Sequence, residues 1–241
     1  MSAPQSTLNR CHSFVVCHLN DEQKSNQALK VPMPFITISR QTGAGARSLG
    51  QRFQRLLDVE MPLVDNQWAL FDRNLVQTAM REHGLPERFA RYLPEDHVSE
   101  IGSLIGELLG LHPPIWELNQ DVFETLIHLA NLGGVVLVGR GSNIVTRKLK
   151  HGFHVRLVAG KETRIKRSAD YYRISHKEAA EFIEYEDKAR SIWVRENFGE
   201  DINDPNGYDL CINTDRISVG DAATLVVEEM KRKFSLPATN R

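Results

Sequence analysis

Phe35-Ile36-Thr37-Ile38-Ser39 is a short, strand-like run that empties into Arg40-Gln41-Thr42-Gly43-Ala44-Gly45-Ala46-Arg47-Ser48. Leu49 and Gly50 follow at the start of a helical pattern. A strand that turns through small residues straight into a helix aims backbone N–H groups and a helix N-terminus at one point, the physical layout of a phosphate cradle. It also constrains the fold, because such a turn belongs to a strand whose next parallel neighbour is reached by a crossover. The lysine of the usual G-x-x-x-x-G-K-[ST] pattern is absent. In one register Arg47 takes the lysine position and Ser48 the Mg²⁺-binding hydroxyl position, with Ala46 replacing the last glycine and Gln41 the first. Shifted by one residue, Gly43-Ala44-Gly45 aligns with a Gly-Ala-Gly loop and Ala46 takes the lysine position. The sequence leaves both registers open, and a tight turn that binds nothing is the plain alternative.

Strand and helix patterns alternate from there. Trp68 to Phe71, Gly134 to Val138, Phe153 to Val158 and Tyr208 to Ile212 read as four further short strands. Helices are expected over Ser48–Leu57, with Leu49, Phe53, Leu56 and Leu57 on one face, and over Arg73–Glu82, 161–172 and 175–195. Ser175 and Glu178 have the spacing of a capping box. A closing helix over Val219–Phe234 turns Ala222, Ala223, Leu225, Val226 and Met230 inward. The expected fold is therefore α/β, three layers with a five-stranded parallel sheet covered on both faces. Ligands of such sheets bind at the carboxyl ends of the strands.

Residues 1–32 read as a flexible N-terminal extension, and 33–241 as one domain with a helical insert at about 85–132. The net charge of −1 in 241 residues gives no general attraction to nucleic acid or membranes. No apolar run approaches the ~20 residues of a membrane span, and no secretory signal is visible. Cys11, Cys17 and Cys211 cannot all pair with one another, which fits a reducing cytoplasm. Cys11, His12, Cys17 and His18 form an array whose spacing matches no usual zinc pattern.

Several polar groups follow directly after strands. Gly139-Arg140-Gly141 offers a guanidinium suited to bidentate capture of a phosphate or nucleobase, with a surface arginine in a turn as the plain alternative. Asp72-Arg73 follows the second strand, where Asp72 also suits a helix cap. Arg164, Arg167, Arg173, Asp187, Lys188, Arg190 and Arg195 cluster between the last two strands, able to close over a transferring phosphoryl group or to form a solvated helix surface.

In their order and spacing these pieces resemble the cytidylate kinase-like family, a branch of the P-loop nucleoside monophosphate kinases. The match runs over about residues 34–234, through Ile36–Arg40 with Gly43–Arg47, Phe71–Leu75, Val138–Gly141, Arg164–Arg167, Asp187–Arg190 and Asp204 to Thr214. The resemblance implies a P-loop kinase fold with a helical lid at about 161–196. It implies ATP and Mg²⁺ as cofactors, with Gly43, Ala44, Gly45, Ala46, Arg47 and Ser48 on the donor phosphates and Ser48 on the metal. It places Asp72, Arg73, Arg140, Asp187 and Arg190 at a monophosphate acceptor, CMP or dCMP, and gives Arg47, Arg164, Arg167 and Arg190 the stabilisation of transferring charge. The leucine-rich helices of 95–131 read as core or as a homodimer face. The expected partners are small nucleotides, without nucleic acid or membrane. A nucleotide sensor that transfers nothing, and a kinase of a non-nucleotide small molecule, are the rival readings.

Overall fold

Residues 33–62, 68–71, 123, 126, 127 and 129–235 are described in a computed structural model. Among them, β1 (Phe35–Arg40), β2 (Ala69–Phe71), β3 (Val135–Val138), β4 (Gly152–Val158) and β5 (Leu210–Asn213) form one parallel sheet in the order β2-β3-β1-β4-β5. Helices described from end to end are α1 (Ala46–Glu60), the single turn α2 (Ser142–Val145), α3 (Lys161–Tyr172), α4 (His176–Phe198) and α5 (Val219–Lys233), and residues 129–132 are helical as well. The expected α/β architecture with five parallel strands is the one observed.

The sheet has an apolar core on each face. On one face α1 and α5 pack over Ile36, Ile38, Val136, Val138, Val155 and Leu157. Full burial of an Ile or Leu side chain contributes about 1.5–3 kcal/mol, so this face carries much of the fold's stability. Phe35, Ala69, Phe71, Val135 and Leu137 form the opposite face under Leu126, Leu129 and Ala130. That apolar face ends at β1. Further along it Thr37 pairs in register with His154 and Ser39 with Arg156, so the β1–β4 half of this face is polar.

The glycine loop, Gln41 to Gly45, joins β1 to α1, and α1 starts two residues earlier than its apolar periodicity suggests. The capping box of α4 forms as expected: Glu178 N donates to Ser175 Oγ at 3.2 Å, and Ser175 N donates to Glu178 Oε2 at 2.8 Å. Strand β5 begins at Leu210 rather than Tyr208, because a 3₁₀ turn over Pro205–Gly207 directs the Tyr208 ring toward β1. In α5, Val227 is buried and Leu225 only half-buried, a rotation of the inward stripe by part of a turn. The N-terminal extension with Cys11, His12, Cys17 and His18, the helix expected at Arg73–Glu82, and most of 85–132 and of the 95–131 dimer face lie outside the described residues.

Candidate active site

The carboxyl ends of β1, β3, β4 and β5 bring the glycine loop, the Gly139-Arg140-Gly141 turn and the α3–α4 pair to one edge of the sheet. Gly45 sits in the left-handed region at φ +87°, and Ala46 opens α1. Helix α1 has no side-chain cap and no acidic residue in its first turn. Helix geometry leaves the N–H groups of Ala46, Arg47 and Ser48 without intrahelical acceptors, so the start of α1 presents donors and the positive end of a dipole. That fits the phosphates of a nucleotide. Ser48 is exposed in this turn, where one hydroxyl is available to a metal held chiefly by phosphate and water. Among the described residues no cluster of three or more His, Cys, Asp or Glu is placed to hold a metal.

The last left-handed glycine before the helix is Gly45, so Ala46 is the first helical residue and Arg47 the second. The Arg47 guanidinium lies on α3: it donates to the Tyr171 hydroxyl and stands 5.4 Å from the centre of that ring.

The loop is tied to the helices above it. Asp187 Oδ1 on α4 accepts from Thr42 N at 2.8 Å and from Thr42 Oγ1 at 2.9 Å. Arg190 Nη2 donates to the same Asp187 oxygen at 2.7 Å and to Thr42 Oγ1, and Arg164 Nη1 pairs with Asp187 Oδ2. Burial pushes the Asp187 carboxyl up, but the Thr42 N–H and the guanidiniums of Arg190 and Arg164 outweigh it and hold the group below the usual aspartate value. Arg164 also donates to Ala159 O at 3.1 Å and Thr42 O at 3.3 Å. Arg167 donates to Thr214 Oγ1 at 2.8 Å and Thr214 O at 3.0 Å, and Thr214 Oγ1 donates to Ala44 O at 3.0 Å. The loop touches α3 closely: a Cβ on Gly43 would sit 2.6 Å from Arg164 O.

A cleft opens between the ends of β1 and β3, walled by Ser39, Arg40, Arg140, Asn143, Arg190 and Trp193. Gly139, Arg140 and Gly141 all have positive φ, at 84°, 56° and 62°. This tight left-handed turn sets Arg140 on the cleft wall. For a non-glycine residue the conformation costs roughly 1–2 kcal/mol, a strain of the kind concentrated at functional sites. The turn also allows close approach, since a Cβ on Gly141 would lie 2.5 Å from Phe198 Cε2. Three guanidinium-bearing residues thus share one cleft, and Arg190 belongs both to it and to the tie on the loop.

Under the cleft, Arg156 on β4 is 4% exposed. It donates to Ser39 Oγ at 2.9 Å and to Asn203 Oδ1 at 2.8 Å, and lies 5.6 Å from the Tyr208 ring centre. The Tyr208 hydroxyl donates to Ile202 O at 2.8 Å and stands 3.2 Å from Ser39 Oγ.

Of the residues singled out in the sequence, Gly43–Ser48, Arg164, Arg167, Asp187 and Arg190 gather around the loop, and Arg140 meets Arg190 in the cleft. Asp187 is engaged with Thr42 and is not among the cleft's walls. Lys188, Arg173 and Arg195 are exposed. Asp72 and Arg73 lie outside the described residues. Thr42, Arg40, Arg156 and Thr214 carry parts of the site that sequence reasoning did not assign. Arg156 had a visible signal, a cation inside an otherwise apolar strand pattern.

The model of the cytidylate kinase-like family matches residues 35–216. A solved structure of an uncharacterised protein from Eubacterium ventriosum ATCC 27560 superposes with a TM-score of 0.61 at 15% identity, over 83% of this chain and 99% of that one. At that identity the likeness is one of fold. Shikimate kinase from Acinetobacter baumannii, in complex with shikimate, aligns with a TM-score of 0.44 at 17% identity, over 83% of this chain and 94% of that one. Shikimate kinase from Bacteroides thetaiotaomicron gives 0.44 and 17%, over 85% and 99%. No curated protein matches the chain.

Proposed function

We propose a phosphotransferase: the chain belongs to the cytidylate kinase-like family and has the P-loop kinase fold, and its loop and cleft fit a phosphoryl donor and a phosphorylated acceptor side by side. The γ-phosphoryl of ATP passes to a nucleoside monophosphate, CMP or dCMP, in the cytoplasm. The observation that carries this reading is the position of Arg190, which lines the cleft and bonds Thr42 of the glycine loop. Such transfer depends on positioning and charge neutralisation more than on covalent chemistry.

In this reading the N–H groups at the start of α1 hold the donor phosphates, and Ser48 reaches the Mg²⁺ that ATP brings. Arg140 and Arg190 hold the acceptor phosphate, with Arg40 beside them. Asp187 keeps Arg164 and Arg190 in place. Arg164 and Arg167 fasten the lid helices to the loop, and Arg47 turns from Tyr171 to the donor phosphates when these arrive. Asp72 and Arg73 complete the acceptor side.

A second reading, nucleotide binding without transfer, is favoured by one observation. Ala46 stands at the first helical position, where the lysine of the usual loop would reach the phosphates. ADP release with ATP·Mg²⁺ and CMP, dCMP, UMP, AMP or non-nucleotide metabolites as acceptors separates the readings. Acceptor-dependent ADP with CMP or dCMP supports the first. Nucleotide binding by calorimetry with no ADP from any acceptor supports the second, and turnover with a non-nucleotide alone assigns the cleft to a different acceptor.

A further inference from the structure

We propose that Arg156 is the hidden charge of the acceptor cleft: it binds no ligand itself but sets the cleft's affinity for anions from beneath its floor. The proposal rests on the reading that an acceptor phosphate occupies this cleft.

Arg156 is nearly inaccessible, and a guanidinium keeps its charge at any pH a protein survives. A buried cation without a counter-charge is costly, so native structures pair it. Here its partners are the neutral Ser39 hydroxyl, the neutral Asn203 amide and the face of Tyr208. Among the described residues no carboxylate lies within ion-pair distance of it. The nearest one in its hydrogen-bond chain is Asp201, which accepts from Asn203 Nδ2 at 3.1 Å and is exposed. Ser39 and Ile202, the residues directly bonded to Arg156 and to Tyr208, both line the cleft. The charge therefore lies one side chain below the cleft, in a poorly screened interior. An anion placed among Arg40, Arg140 and Arg190 supplies the compensation that the protein withholds. Because Arg156 does not reach the ligand, it is a positioning and electrostatic residue, not a catalytic one.

The test is titration with inorganic phosphate, followed by ³¹P NMR, on wild type and variants whose thermal unfolding is recorded in parallel. The binding event removed by Arg140→Ala defines the cleft and separates it from phosphate at the glycine loop. Arg156→Gln and Arg156→Met are expected to weaken that event about tenfold or more while Arg156→Lys stays within about threefold of wild type, as a unit charge acting across one side chain implies. Cytidine, which carries no phosphate, should bind all four proteins alike. Wild-type phosphate affinity in either neutral variant overturns the proposal and leaves the cleft reading standing. Failure of both neutral variants to fold also overturns it, making Arg156 part of the framework. If wild type shows no Arg140-dependent phosphate binding, the cleft reading itself fails, and this proposal with it.

Discussion

The carboxylate of Asp187 grips Thr42 twice, accepting from its backbone N–H at 2.8 Å and from its hydroxyl at 2.9 Å. This places a residue of α4 on the glycine loop and between the guanidiniums of Arg164 and Arg190. Removing the carboxylate leaves two arginines facing each other and a loop N–H without its acceptor. Asp187→Ala is expected to destabilise the fold by about 2 kcal/mol, between the values for surface and buried pairs because the side chain is 26% exposed. Urea unfolding measures it, and a change below about 0.5 kcal/mol would make the tie a surface contact of no consequence.

Arg140→Gly should separate binding from stability. Glycine relieves the left-handed strain at φ 56° but adds entropy to the unfolded chain, so the unfolding free energy should stay within about 1 kcal/mol of wild type. Acceptor affinity should fall at least about tenfold with the loss of a charge-assisted contact. Calorimetry with CMP beside thermal unfolding reads both quantities. Unchanged affinity would remove Arg140 from the site.

Gly43→Ala should damage the loop by contact rather than by chemistry. Its Cβ would meet the Arg164 backbone at 2.6 and 2.9 Å, which cannot yield as a flexible side chain does. With φ at +77° as well, the expected cost is about 2–4 kcal/mol, visible in urea unfolding. A variant as stable as wild type would show that α3 does not rest on the loop in solution.

Acid should weaken the fold through His154. Burial is the main cause that lowers its pKa from 6.5 to about 4, with Lys233 and Arg147 acting the same way against Asp209. The folded state then binds fewer protons than the unfolded chain below pH 6.5, so this contribution is full above that pH and is lost as the pH falls toward 4. Its size is about 3 kcal/mol at most. Asp187, held below its usual value, adds a loss in the same direction at lower pH. Urea unfolding from pH 7 to 4.5 should show the decline, and His154→Leu should flatten it; an equal slope in the variant would assign the decline to other groups.

Much of this was legible because the strands are short, apolar and punctuated. The apolar run Val135–Val138 reads as a buried strand, and the small residues of Gly43–Gly45 mark the turn out of β1, though not the residue at which α1 begins. The left-handed conformation of Gly45 and the start of α1 at Ala46 are backbone properties that residue types alone do not give. Arg156 escaped notice because its meaning comes from Ser39, 117 positions away, across the β1–β4 register. Arg190 shows another limit. The sequence offers it as one of a set of arginines that close over a phosphoryl group or form a solvated helix surface, yet it bonds Glu186 Oε2 at 3.2 Å, a carboxylate in a residue only 2% exposed. Arg190→Ala therefore mixes stability with function, and Arg140 is the cleaner probe.

Phosphoryl transfer in the arginine cleft is tested by the rate of ADP formation from ATP·Mg²⁺ with and without CMP, measured with wild type and Arg140→Ala while ³¹P NMR identifies the product. CMP-dependent ADP is expected in wild type, with CDP in equal amount, and a loss of about tenfold or more in Arg140→Ala with its fold intact. ADP formed equally with and without CMP, or CDP formed at the wild-type rate by Arg140→Ala, would contradict transfer in the arginine cleft.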